Sequence, residues 1–123
     1  MMESTLAVLE KALAFGDTIV IVRSGAAIAE VMGGPMRRGQ EWLTVGDEGA
    51  GASLVHIKLS EIDGLRFRDA EDRNAALDVL NANGETICSL SFRKTNAGRT
   101  ETFDADRLET VKARFGHLAE VPA

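Results

Sequence analysis

The sequence predicts an α+β fold in which one helix near each end of the chain flanks a strongly bent antiparallel β-sheet. Through the middle of the chain, short apolar runs alternate with polar residues, which is typical of strands that bury one face. Turn residues separate these runs, and the Asn-Gly pair at positions 83–84 gives the clearest hairpin signal. Apolar residues at helical spacing occur near the two ends, which places the predicted helices there.

Length and composition predict one globular domain over residues 1–123. The chain has 123 residues, of which 45% are hydrophobic and 27% charged, values close to those of average soluble domains. Its net charge of −5 argues against non-specific nucleic-acid binding, which requires a surplus of Lys and Arg. No apolar run approaches the roughly 20 residues needed to span a bilayer, and the first residues lack the pattern of a secretory signal. From these two observations we expect a cytoplasmic protein without a membrane partner. The single cysteine, Cys88, cannot form an intramolecular disulfide, which fits a reducing compartment.

The first elements follow from leucine spacing and β-branched residues. Residues 4–15 are predicted to form an amphipathic helix with Ser4 or Thr5 as its N-cap. The run at 19–22 is β-branched and continuous, which predicts a strand covered on both faces. Residues 26–32 are predicted to return as its hairpin partner, although the alanines there also permit a helix.

Residues 33–39 contain glycines and a proline, which predict no regular element. Two interpretations remain open for this segment: a solvated loop, or a rim over a ligand in which Arg37 and Arg38 face anionic groups. Trp42 follows in an alternating segment and is predicted to be a core or interface anchor.

The next alternating run contains one of the two histidines of the chain. Val55, Ile57 and Leu59 alternate with His56 and Lys58, so a strand here buries the first set and directs His56 and Lys58 away from the core. His56 is therefore either a candidate ligand on an exposed sheet face or a surface histidine without a ligand.

The remaining strands and the second helix complete the fold. Residues 65–69 alternate so that Arg66 and Arg68 lie on the face opposite Phe67. Residues 75–80 and 86–93 are predicted to pair through the Asn-Gly turn. The final helix is predicted over residues 104–118, with Asp104 as its N-cap.

In this order of elements, the chain resembles the cytoplasmic haem-utilisation carriers of the HutX/ChuX type, whose fold also occurs as each half of HemS-type proteins. The resemblance covers residues 17 to about 118. It rests on the strand at 16–22, on the segment His56-Ile57-Lys58-Leu59, on residues 66–80, and on the motifs Asn83-Gly84-Glu85 and Leu90-Ser91-Phe92.

The resemblance implies a homodimer that binds haem against the exposed sheet face. His56 corresponds to a histidine implicated in haem binding and would be an axial ligand. At the position of the family's second histidine, this chain has Arg23, whose guanidinium stays protonated and cannot ligate iron. The resemblance therefore implies that Arg23, Lys58, Arg66 or Arg68 would meet the haem propionates, and that Met32 or Met36 could occupy the second axial position.

Two other functions remain possible. The same fold could act as a dimeric interaction module that has lost haem binding, because Arg23 occupies the position of the family's second histidine. An enzyme is less favoured, because the chain has no tyrosine and no pairing of Ser or Cys with His at the spacing of a catalytic triad. A carrier is thus favoured over a catalyst.

Overall fold

Two helices and eight strands are present in the residues that the computed structural model describes, which are 2–47, 49, 51–69 and 71–119. The helices are α1 (Met2–Phe15) and α2 (Ala105–Phe115), and two short 3₁₀ turns follow β5 and α2 at Leu59–Glu61 and Gly116–Leu118. The strands are β1 (Thr18–Arg23), β2 (Ile28–Met32), β3 (Met36–Arg38), β4 (Trp42–Val45), β5 (Val55–Lys58), β6 (Gly64–Arg68), β7 (Ala76–Leu80) and β8 (Thr86–Phe92). The predicted α+β class, with a helix near each end, is confirmed.

The strands form two antiparallel sheets. The larger has the order β2-β1-β8-β7-β6, and the smaller has the order β3-β4-β5. Within the larger sheet, β1 pairs with β8, so the start and the end of the strand region meet at its centre. The division into two hydrogen-bonded sheets is consistent with the bent antiparallel sheet that the sequence predicts.

Both sheets contribute their inner faces to one hydrophobic core. In the larger sheet, Val20, Leu77 and Leu90 are buried, and in the smaller sheet Leu43 and Ile57 are buried. The helices add the remaining apolar residues: Leu6, Leu9, Ala12 and Leu13 from α1, and Val111 and Phe115 from α2. Successive side chains of a strand alternate between this core and the outer face, so polar residues such as His56 and Asp78 lie on the outer faces.

The hairpin of β7 and β8 has the predicted turn. Gly84 has φ of +78°, a conformation that glycine adopts without the cost of a Cβ atom. The Oδ1 atom of Asn81 accepts hydrogen bonds from the backbone N–H groups of Asn83 and Glu85, at 3.0 and 2.9 Å. The β1–β2 hairpin and the alternation of β5 and β6 are likewise confirmed.

Three local predictions were wrong. Residues 33–39 contain a strand, β3, because Met36, Arg37 and Arg38 find hydrogen-bonding partners on β4 that local sequence does not reveal. The strand β1 is not covered on both faces, since Val22 and Arg23 at its end are exposed. The first helix begins at Met2, so neither Ser4 nor Thr5 is its N-cap.

The second helix begins as predicted and is attached to the start of β1. The carboxylate of Asp104 accepts a hydrogen bond from the backbone N–H of Arg107 at 3.1 Å, which satisfies one of the unpaired donors at the helix start. The side chain of Arg107 donates to the carbonyl oxygens of Gly16 and Asp17, both at 2.8 Å. The guanidinium thus connects α2 to the turn between α1 and β1.

Candidate functional site

His56 lies on the outer face of the smaller sheet, where it is hydrogen-bonded to Thr44. The register pairs Thr44 with Arg37 on one side and with His56 on the other, so the three residues form a row across the sheet. The Oγ1 atom of Thr44 lies 2.9 Å from Nδ1 of His56. This bond fixes the orientation of the imidazole, and it leaves Nε2 as the ring nitrogen available to another group.

An open groove of about 750 Å³ lies beside this row. Trp42 is near this row on β4, opposite Lys58 in the register, and the residue is 46% exposed. The groove is lined by residues of β3, the turn that follows it, β4 and β5: Arg37, Arg38, Gly39, Gln40, Glu41, Trp42, Thr44 and His56. An imidazole, an indole and two guanidinium groups therefore share one concave surface.

The structure divides the residues predicted for the site between the two sheets. His56 and Lys58 both lie on the outer face of the smaller sheet, as their alternation predicts. Arg23 lies at the end of β1, and Arg66 and Arg68 lie on β6, all in the larger sheet. None of these three arginines lines the groove beside His56.

Arg66 and Arg68 are held by a buried carboxylate. Oδ2 of Asp78 accepts hydrogen bonds from Nη2 of Arg66 at 3.0 Å and from Nε of Arg68 at 2.8 Å. Oδ1 of Asp78 accepts a third bond, from Oγ of Ser89, at 2.6 Å. Burial by itself would raise the pKa of the Asp78 carboxyl, but the bonds from Arg68, Ser89 and Arg66 outweigh it and hold this pKa below its usual value.

The described residues contain no group of three or more His, Cys, Asp or Glu side chains arranged to hold a metal ion. A prosthetic group that already surrounds its metal needs only one or two protein ligands, so this finding concerns the binding of a free metal ion. Cys88 is not available as a thiolate ligand, because burial and the nearby carboxylate of Asp78 raise the pKa of its thiol to about 12.

The two methionines proposed for a second axial position are differently placed. Met36 pairs with Val45 on the inner side of the smaller sheet and packs against the core, so it does not face the groove. Met32 is exposed on β2, in the other sheet.

Sequence analysis did not assign Trp42 and Thr44 to the site. Trp42 is not a core residue, because it lies on the outer face of β4. The alternation of Trp42, Leu43, Thr44 and Val45 could have shown that Trp42 and Thr44 share a face. Only the register with β5 places that face beside His56.

Comparisons with known proteins support the fold. No family model and no curated protein matches the chain. The chain is similar to the crystal structure of a protein from Agrobacterium tumefaciens, with a TM-score of 0.70 and 16% sequence identity, over 95% of this chain and 68% of that one. At this identity the similarity concerns the fold alone. Neither helix of the described chain has the length and apolar character that a membrane crossing would require.

Proposed function

We propose that the chain is a haem-binding protein of intracellular haem utilisation with a HutX/ChuX-like fold, and that it binds haem in the groove beside His56. The observation that supports this most is the hydrogen bond between Thr44 Oγ1 and His56 Nδ1. Histidines that bind metals usually donate their second ring N–H to an oxygen acceptor, which fixes both the tautomer and the direction of the free nitrogen. In the tautomer in which Nδ1–H donates to Thr44, the lone pair of His56 Nε2 is left for an axial bond.

The surroundings of His56 suit a flat, largely apolar ligand with two carboxylates. Trp42 offers an exposed aromatic surface next to the histidine, and planar rings pack well against such a surface. Arg38 is exposed in the lining of the groove and supplies a donor for a propionate, which agrees with the interpretation of residues 33–39 as a rim. Haem itself supplies an iron whose axial position accepts an imidazole nitrogen.

The role of Thr44 gives the test of this proposal. We expect haemin to bind the unmodified protein with a shift of its Soret band. Thr44→Val keeps the shape of the side chain but removes the hydrogen bond, so it should weaken haemin affinity by about tenfold, the lower end of the effect of residues that orient metal ligands. Thr44→Ser retains the hydroxyl and should bind as the unmodified protein does. Equal affinities for the valine and serine variants would contradict the proposed orientation of His56.

A second candidate function is a dimeric interaction module without haem, and the free edge of the larger sheet favours it. The strand β2 pairs only with β1 among the described strands, so its other backbone edge is available for pairing. Ile28 and Met32 on this strand are 58% and 55% exposed, and Val22 on β1 is also exposed. Pairing with a second copy would cover this apolar edge.

Light scattering tests the dimer. If β2 is the contact, the protein should be a dimer, and Ile28→Asp should convert it to a monomer. Leu54→Asp places the same charge at another exposed apolar residue and should leave the dimer intact. A dimer together with a silent haemin titration would favour the interaction module, whereas a monomeric unmodified protein would contradict the dimer in both proposals.

A further inference from the structure

The outer face of the larger sheet contains a second concave surface, a trough of about 560 Å³. Its floor includes Ala76 and Ser91, which are small and buried, and Ile19 and Ile21, which are half-buried. The small residues on β7 and β8 lie between longer side chains on β6 and β1, so the sheet surface is recessed there. A volume of this size is within the range of sites for small molecules.

The trough is positively charged although the chain as a whole has a net charge of −5. Among the residues that the structure describes, six Lys or Arg side chains line it, against two acidic ones, Glu30 and Asp72. The six cations are Arg23, Arg68, Arg73, Arg93, Lys94 and Arg99. So strong a separation of charge indicates a surface that attracts anions.

Several of these cations are fixed by carboxylates next to the trough. Asp78 binds Nε of Arg68 at 2.8 Å, and Asp17 lies 3.2 Å from Nη1 of Arg93 and 3.5 Å from Nζ of Lys94. Counting both of these carboxylates, six positive charges still face four negative ones. A guanidinium that is already held in place loses less conformational freedom when it binds a ligand.

Two arginines of the trough are not neutralised in this way. Within the described chain, the side chains of Arg23 and Arg99 have neither an ion-pair nor a hydrogen-bond partner, and both are exposed. They are therefore available to bind an anion, and a guanidinium binds phosphate or carboxylate through two parallel hydrogen bonds.

We propose that this trough binds a small organic anion that carries two or more phosphate or carboxylate groups. The half-buried isoleucines of the floor would contact the apolar part of the ligand, and the arginines at the rim would bind its charged groups. The site is separate from the groove beside His56, since the two surfaces have no lining residue in common. It therefore does not depend on haem binding.

Isothermal titration calorimetry with pyrophosphate and with citrate tests this proposal at low ionic strength, where screening is weak. We expect saturable binding with one site per chain for at least one probe, and weaker binding as salt is added. Binding of pyrophosphate alone would assign the ligand to the phosphates, and binding of citrate as well would extend it to carboxylates.

Three variants establish where the probe binds. Arg23→Ala/Arg99→Ala should weaken binding by at least about tenfold, because it removes two charge-assisted contacts. Lys11→Gln/Lys112→Gln removes the same charge from residues that do not line the trough, and it should change the affinity less than about twofold. Glu30→Gln removes a carboxylate from the lining and should strengthen binding.

The outcome of these titrations is decisive in either direction. Absence of saturable binding for both probes would overturn the proposal. An equal loss in the two double variants would also overturn it, since binding would then depend on net charge alone. If the arginine variant does not fold, the Glu30→Gln variant still decides, because unchanged or weakened binding there contradicts a site in the trough.

Discussion

Replacing Asp78 with alanine should destabilise the protein by about 3 kcal/mol. The carboxylate is buried and accepts bonds from Arg66, Arg68 and Ser89, so the substitution removes an acceptor that two guanidinium groups and a hydroxyl share. Breaking a buried ion pair on one side usually costs about 3–5 kcal/mol. We expect the lower value because the side chains of Arg66 and Arg68 are 27% and 31% exposed and can still be hydrated.

Urea unfolding followed by circular dichroism measures this free energy, since its midpoint shifts with stability. Asp72→Ala is the matched control, because that carboxylate is 82% exposed, lies 3.7 Å from Arg73, and should contribute close to nothing. The reasoning about the buried network would be refuted if Asp78→Ala were as stable as the control.

The same carboxylate should make stability depend on pH. Because its pKa is lower in the folded protein than the ordinary value of 3.8, its contribution is present at neutral pH and is lost as the pH falls below about 4. Asp78→Asn cannot titrate, so its free energy of unfolding should fall less steeply than that of the unmodified protein between about pH 5 and pH 3. Parallel pH profiles would contradict the lowered pKa.

Two further residues, Gly33 and Cys88, test the packing of the core. In Gly33→Ala the new Cβ would overlap Oγ1 of Thr18 and lie 3.2 Å from its carbonyl oxygen, which should lower the free energy of unfolding by about 1–3 kcal/mol. Adding Thr18→Ala should recover part of this loss, measured by urea unfolding. If the double variant recovers nothing, the assigned clash is refuted. The thiol of Cys88 should not react with a thiol-specific reagent at pH 8 unless the protein is unfolded, because burial raises its pKa to about 12. The unfolded thiol ionises near its ordinary pKa of 9.0, so the free energy of unfolding should decline as the pH rises above about 9. Cys88→Ala should lack this decline. If that variant shows a decline of the same size, the pH dependence comes from other groups.

Much of the fold could be predicted because local residue patterns determine it. The alternation around His56 and Phe67 correctly predicts which side chains face the core, since successive side chains of a strand point to opposite faces. Asn81 at the β7–β8 turn and Asp104 at the start of α2 each accept the hydrogen bonds that such side chains accept in turns and at helix starts. These features depend on residues close together in the sequence.

The errors concern partners that are distant in the sequence. The strand β3 forms because β4 offers it hydrogen bonds, and the glycines on both sides of β3 conceal this in the sequence. The positions of Arg23 and Arg66 relative to His56 depend on which strands share a sheet. Strand order also places Trp42 and Thr44 beside His56, and sequence alternation cannot supply strand order.

Haemin titrations of His56→Ala and His117→Ala test most directly the proposal that His56 binds haem. Both variants remove one exposed imidazole, and the two histidines are the only ones in the chain. If His56 is the axial ligand, the Soret spectrum and affinity of the His56 variant should change, whereas the His117 variant should match the unmodified protein. Unchanged haemin spectra in His56→Ala would contradict the proposal that this chain binds haem through His56.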